Sequence, residues 1–223
     1  MINILLILLL AATPALIYGG ACDGVENLID PFVTTHFDAK LMQGTFFELA
    51  YHDYTQPRPP LCGCERSVKT VDTTTSETKI HDLFSLKCPL EEKLQKDQVV
   101  HLDFTVDDNL PGHLVGTTCK FFKQAADGIC PDYLIDVGTR EPGKPYPWVL
   151  EFQCVENKRN GKLLFAGVNM YARDKSNETL AEMRESAEKH GLSSFIENSE
   201  RIGAPAGLTI VDHTNCTYPP SEL

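Results

Sequence analysis

A chain of 223 residues, 42% of them apolar, holds enough material for one domain of ordinary size with a real core, or for two small ones, and is too apolar to be a disordered tail. Its formal net charge of −11 and the lack of any basic run exclude nucleic acid and anionic membrane surfaces as partners.

Residues 2–18 form an apolar run broken by Pro14, and Gly19, Gly20 and Ala21 supply small residues before Cys22. Residues 1–21 therefore read as a secretory signal peptide cut just before Cys22, although no Lys or Arg precedes the run, and 22–223 as the mature domain. No other stretch is long and apolar enough for stable membrane insertion. Eight cysteines behind such a segment imply disulfides formed in an oxidising, extracellular compartment. The Cys62-Gly63-Cys64 pair lacks zinc-site spacing, so no metal is expected.

In chain order, 22–40 is an irregular leader containing Pro31. Residues 42–53 are aromatic and β-favouring, open on Gly44 and carry no helical stripe, which predicts a first strand. The proline-rich 56–60 is a rigid loop. Strands follow at 64–73 and 78–87, with Ile80, Phe84 and Leu86 in one phase. The charged 89–97 has the composition of a short helical turn. Residues 99–106 alternate, with Val100, Leu102, Phe104 and Val106 on one face and His101, Asp103 and Thr105 on the other, as in a half-buried antiparallel strand. Further strands are predicted at 113–123, 132–137, 148–155 and 163–173, the last two joined by a loop ending in Asn160-Gly161. The pattern then changes. Leu180, Met183 and Ala187 recur at helical spacing, Ser176 or Asn177 can cap the start, and Gly191 stands where a helix ends, so 177–190 is a helix. A short strand at 208–211 and Cys216 complete the chain. Eight sequential strands with no strand–helix alternation predict an all-β fold with one C-terminal helix, an eight-stranded antiparallel up-and-down β-barrel wide enough for one small ligand.

Three stretches carry a resemblance. Gly44, Phe46, Phe47, Glu48, Leu49 and Ala50 fall in register with the lipocalin G-x-W-Y-E-[IL]-A strand, with Phe46 in place of the tryptophan. Arg173, about 130 residues on and just before the helix, matches the lipocalin arginine that closes the barrel floor over that ring. Residues 148–154 resemble the seventh strand of apolipoprotein D-like lipocalins, and the extra cysteines and proline-bearing loops resemble the divergent violaxanthin de-epoxidase-like branch. The T-D-Y turn of many members is missing; residues 138–147 stand there instead. The resemblance implies a Phe46–Arg173 floor and the disulfides Cys22–Cys154 and Cys64–Cys216. Cys62, Cys88, Cys119 and Cys130 have no counterpart in those relatives; Cys119–Cys130 with Cys62–Cys88 is one way to pair them.

The resemblance also implies a secreted carrier for a small hydrophobic molecule such as a fatty acid, sterol, retinoid, carotenoid or tetrapyrrole, with no cofactor beyond such a ligand or pigment. Candidate lining residues are Phe84, Leu86, Leu102, Phe104, Trp148, Leu150 and Phe152, the set taken to face inward; plain core packing is the alternative for each. An enzyme is the runner-up. No hydrolase, zinc-protease or phosphate-loop motif is present, but a carboxyl inside an apolar cup can serve as the acid that opens a lipid or carotenoid epoxide, and Glu48 and Asp82 share strand phase with Phe46 and Phe84. A third reading is a ligand-free glycoprotein that binds a cell-surface receptor. Asn177 and Asn215 open N-glycan acceptor triplets, the second with Cys216 in its middle.

Overall fold

The computed structural model describes residues 21–57, 62–88, 98–116, 130–157, 159–197 and 206–218. The signal-like segment and the turn expected at 89–97 lie outside them. Eight strands follow one another: β1 (Gly44–His52), β2 (Gly63–Asp72), β3 (Lys79–Lys87), β4 (Gln98–Val106), β5 (His113–Gly116), β6 (Cys130–Val137), β7 (Trp148–Glu156) and β8 (Leu163–Ala172). Each pairs antiparallel with the next, and β1 pairs with both β2 and β8, so the sheet closes into an eight-stranded barrel. Closure removes the free edges that sequential short strands would otherwise expose.

The leader is more ordered than its sequence suggests. Residues Val25–Leu28 and Ala39–Met42 are 3-10 turns flanking α1 (Pro31–His36). Asp30 caps α1 by accepting a 2.8 Å bond from the Phe32 N–H, and Pro31 sits at the first helical position, where its missing donor costs nothing. Single-turn helices carry too few residues to show a period. Val33 and Met42 are fully buried, so the leader packs into the core.

The long helix α2 (Asn177–Lys189) begins on Ser176, whose hydroxyl accepts from the Thr179 N–H at 3.1 Å. Gly191, at φ 76°, ends it, with bonds from the Leu192 N–H to the Ala187 carbonyl and from the Gly191 N–H to the Glu188 carbonyl. This is the double bond of a helix C-terminus turned by a left-handed residue. A one-turn helix, α3 (Ser193–Ile196), follows.

These helices cover β7 and correct one reading of the sequence. Trp148 donates from Nε1 to Glu182 Oε2 of α2 at 3.2 Å, and the Phe152 ring lies 4.8 Å from that of Phe195 in α3. Trp148, Leu150 and Phe152 therefore occupy the outer face of β7, beneath the helices. Val149, Glu151 and Gln153 face the barrel interior, paired with Tyr171, Asn169 and Gly167 of β8.

The tail adds a strand, β9 (Thr209–Ile210), beside Ala50 and Tyr51 of β1. The β1–β8 register shifts between Glu48 and Ala50, and the carbonyl of the intervening Leu49 accepts from the Val211 N–H. The irregularity thus supplies a docking point for the tail. Among the described residues, no helix is long and apolar enough to cross a membrane.

Candidate functional site

Residues paired across an antiparallel ladder share a face. Following the registers from Phe46 places Ser67, Lys69, Phe84, Asp82, Ile80, Leu102 and Phe104 on one face with Leu114, Asp132, Glu151, Asn169, Tyr171 and Glu48. That face is the interior, because Lys69 Nζ of β2 reaches Glu151 Oε1 of β7 at 3.2 Å although β1 and β8 stand between those strands in the sheet.

Two walls line it. On β3 to β5, Phe84, Leu86, Leu102 and Phe104, with Val100 and Leu114, form an apolar wall. Four of the seven expected lining residues stand here, and the other three are the β7 residues already placed beneath the helices. On β1, β2, β7 and β8 the wall is polar. Lys69 Nζ is 2.6 Å from Asp82 Oδ2, Ser67 donates to Asp82 Oδ1 at 2.6 Å, and the Lys69 ammonium sits 5.2 Å from the centre of the Tyr171 ring. Burial works against the Lys69 charge, but Asp82, Glu151 and Asp132 together hold its pKa above the ordinary lysine range. A buried lysine with two carboxylates is a pairing in which each ion depends on the others.

Glu48 and Glu65 form a second group on neighbouring strands. Both are buried, at 0% and 1% exposure, and their carboxyls share a hydrogen bond. Gln56 Nε2 also donates to Glu48 Oε1 at 3.2 Å. Burial, then the nearby Glu65 charge, pushes the Glu48 carboxyl well above the usual carboxylate range; burial raises Glu65 to about 7. Two like charges this close cannot both ionise cheaply. Asp132 is likewise raised by burial and by Glu151. Of the two candidate acids, Glu48 is thus an unneutralised carboxyl, while Asp82 is bound to Lys69 and Ser67.

The barrel floor is built from Arg173. Its guanidinium carbon lies 4.3 Å from the Phe46 ring centre, Nε donates to the Tyr146 carbonyl at 2.8 Å, and Nη2 to those of Leu41 and Gln43 at 3.1 and 2.9 Å. Gly44 makes room: at φ 118°, a Cβ there would stand 2.7 Å from Arg173 Nη1.

Disulfides join Cys22 to Cys154, Cys62 to Cys88 and Cys64 to Cys216. The Cys119–Cys130 pairing lies outside the described residues. Asn177 and Asn215 are both exposed. A metal-sized cluster unites Asp30, Asp136 and His190, with ligand atoms within 4.8 Å of one another. Arg140 Nη2 already lies 2.7 Å from Asp136 and 3.2 Å from Asp30, and Lys189 Nζ is 3.1 Å from Asp30. Protein cations therefore neutralise both carboxylates, and the cluster ties the leader, β6 and the end of α2 together.

The polar wall was missed in the sequence because Glu65, Lys69, Asp132 and Glu151 read as ordinary exposed charges; only strand phase set against Phe46 pointed to Glu48 and Asp82.

No protein-family profile matches the chain, and no curated protein matches it in sequence. Solved structures do match. Insecticyanin from the tobacco hornworm Manduca sexta superposes with a TM-score of 0.53 at 12% identity, over 90% of this chain and 92% of that one. The fold is lipocalin-like. Apocrustacyanin C1 agrees, with a TM-score of 0.50 at 8% identity over 84% of this chain and 87% of that one. At such identities the likeness is one of fold. The lipocalin-like barrel here departs from a simple apolar cup in its buried carboxyls.

Proposed function

We propose that the protein is a secreted carrier that holds one small, largely apolar molecule inside the barrel. The observation that carries this reading is the apolar wall of β3 to β5, where Val100 and Leu102 face inward yet remain only partly buried. Inward apolar side chains that the protein itself does not fully cover are what a ligand's surface covers. The three disulfides and the exposed Asn177 fit an extracellular glycoprotein. Titration with fatty acids, sterols and polyenes, read by native mass spectrometry, tests the reading. Leu102→Asp or Phe104→Asp should weaken binding at least about tenfold, since each buries an unpaired charge beside the ligand. His101→Asp, on the opposite face of β4, should leave it unchanged. Equal loss from both faces, or no ligand bound by the unaltered protein, would overturn the proposal.

The Glu48–Glu65 pair favours a second reading, an acid that protonates an epoxide on a lipid or carotenoid. A carboxyl kept protonated near neutral pH by burial suits that role. Turnover of an epoxide that disappears in Glu48→Gln, with ligand binding retained, would select it over the carrier.

A further inference from the structure

The hydrogen bonding of the interior is one-sided. Beyond the bond that Glu48 and Glu65 share with each other, buried oxygens on its polar wall lack a hydrogen-bond donor among the described residues: Glu48 Oε2, Glu65 Oε2, Asp132 Oδ1, Asn169 Oδ1 and, its ion pair with Lys69 apart, Glu151 Oε1. The Asn169 oxygen can only accept, and the carboxyl oxygens accept once their groups give up the proton that burial favours. Asn169 is not acidic and is 5% exposed; its amide end is directed to the Tyr171 hydroxyl, which leaves its oxygen as the open atom. Among the described residues the one interior cation, Lys69, is committed to Asp82 and Glu151. Arg66 and Lys175 belong to the outer face, where both lie over the Tyr218 ring and Lys175 also over Phe47. Asp53, also buried, adds to the negative field at Glu48 and Glu65.

A guest that completes such a wall must bring donors and positive charge. A fatty acid would bring more acceptors and a like charge, and an alcohol a single donor. We propose that the cup binds an amphipathic organic cation, an amine on an apolar body, with its ammonium between Glu48 and Glu65 and its body along Phe84, Leu86, Val100 and Leu102. The arrangement links the two walls: Tyr171, the β8 partner of Glu48, meets Phe84 edge to face with ring centres 6.4 Å apart. An ammonium between two carboxyls makes charge-assisted hydrogen bonds in a water-poor site, where they are strong. The inference rests on the carrier reading of the same cup and names the class of ligand.

Calorimetric titration of the disulfide-intact protein with dodecylamine, dodecanol and dodecanoate, below micelle formation, tests it. The three probes share one apolar body. Dodecylamine should bind at least about tenfold tighter than dodecanol, and dodecanoate weakest. Titration in two buffers of different ionisation enthalpy should show a proton released with the amine and none with the alcohol, because the carboxyl pair gives up its shared proton to accept the cation. That measurement needs no variant. In Glu48→Gln/Glu65→Gln, or in Glu65→Gln alone if the double variant does not fold, the amine preference should vanish, dodecylamine losing at least about tenfold more affinity than dodecanol. If dodecanol or dodecanoate binds and the amine is no tighter, the cation inference fails and the carrier reading stands. Survival of the amine preference without the two glutamates also overturns it. If none of the three binds, the cation inference fails, and the titration with sterols and polyenes decides the carrier reading.

Discussion

Glu65 links the interior to bulk pH. Its carboxyl is raised from 4.5 to about 7 in the folded protein, with burial the main cause. A carboxyl with a raised folded pKa binds its proton more tightly in the native state, so its contribution is fully favourable below 4.5 and is lost as pH rises through about 7. Glu48, Asp132 and Glu151 are shifted in the same direction. The protein should therefore be more stable near pH 5 than near pH 8, with Glu65 and its partner accounting for on the order of 2–3 kcal/mol. Urea denaturation at both pH values checks this. Glu65→Gln should flatten the dependence, and a wild-type stability that rises between pH 5 and 8 would show that the pair is not buried as described.

At the scale of the element, β7 shows what hydrophobic alternation can and cannot tell. Its large apolar residues Trp148, Leu150 and Phe152 share a phase, and the ordinary inference turns that phase inward. Here α2 and α3 supply an outer layer, so the apolar phase faces the helices while Val149, Glu151 and Gln153 line the barrel. The same inference serves for β4, where Leu102 and Phe104 do face inward. Strand order and the helix were legible because they rest on local spacing and on turn chemistry, and the closing arginine was legible through the lipocalin resemblance. The polar wall was not, since a charge on a strand looks alike whether it meets water or, like Lys69, two carboxylates across a barrel. The corrected phase makes Trp148 a reporter of helix docking. Glu182→Ala, which removes the acceptor of its indole N–H, should shift its emission and cost about 1 kcal/mol. Dodecanol bound in the cup should leave that emission unchanged; quenching by such a non-absorbing ligand would put the ring back inside.

For the whole molecule, the covalent links differ in reach. Cys62–Cys88 encloses a separation of 26 residues and Cys64–Cys216 one of 152. Cross-linking the longer loop restricts the unfolded chain more, so Cys64→Ser/Cys216→Ser should destabilise more than Cys62→Ser/Cys88→Ser by about 1–2 kcal/mol. Thermal unfolding of the two variants checks the order, and limited proteolysis should cut the tail only in the first. The same separations set a timetable. During synthesis β1 emerges early, yet β8 arrives near the end, and Cys22 waits 132 residues for Cys154. At roughly 5–20 residues per second that wait is on the order of ten seconds, in which one edge of β1 stands open. Of the three described bridges only Cys62–Cys88 can close early, and in closing it takes Cys88 away from Cys64 and Cys22. The short bridge thus acts as a proofreader, and the long ones as seals set on a ring that is already complete.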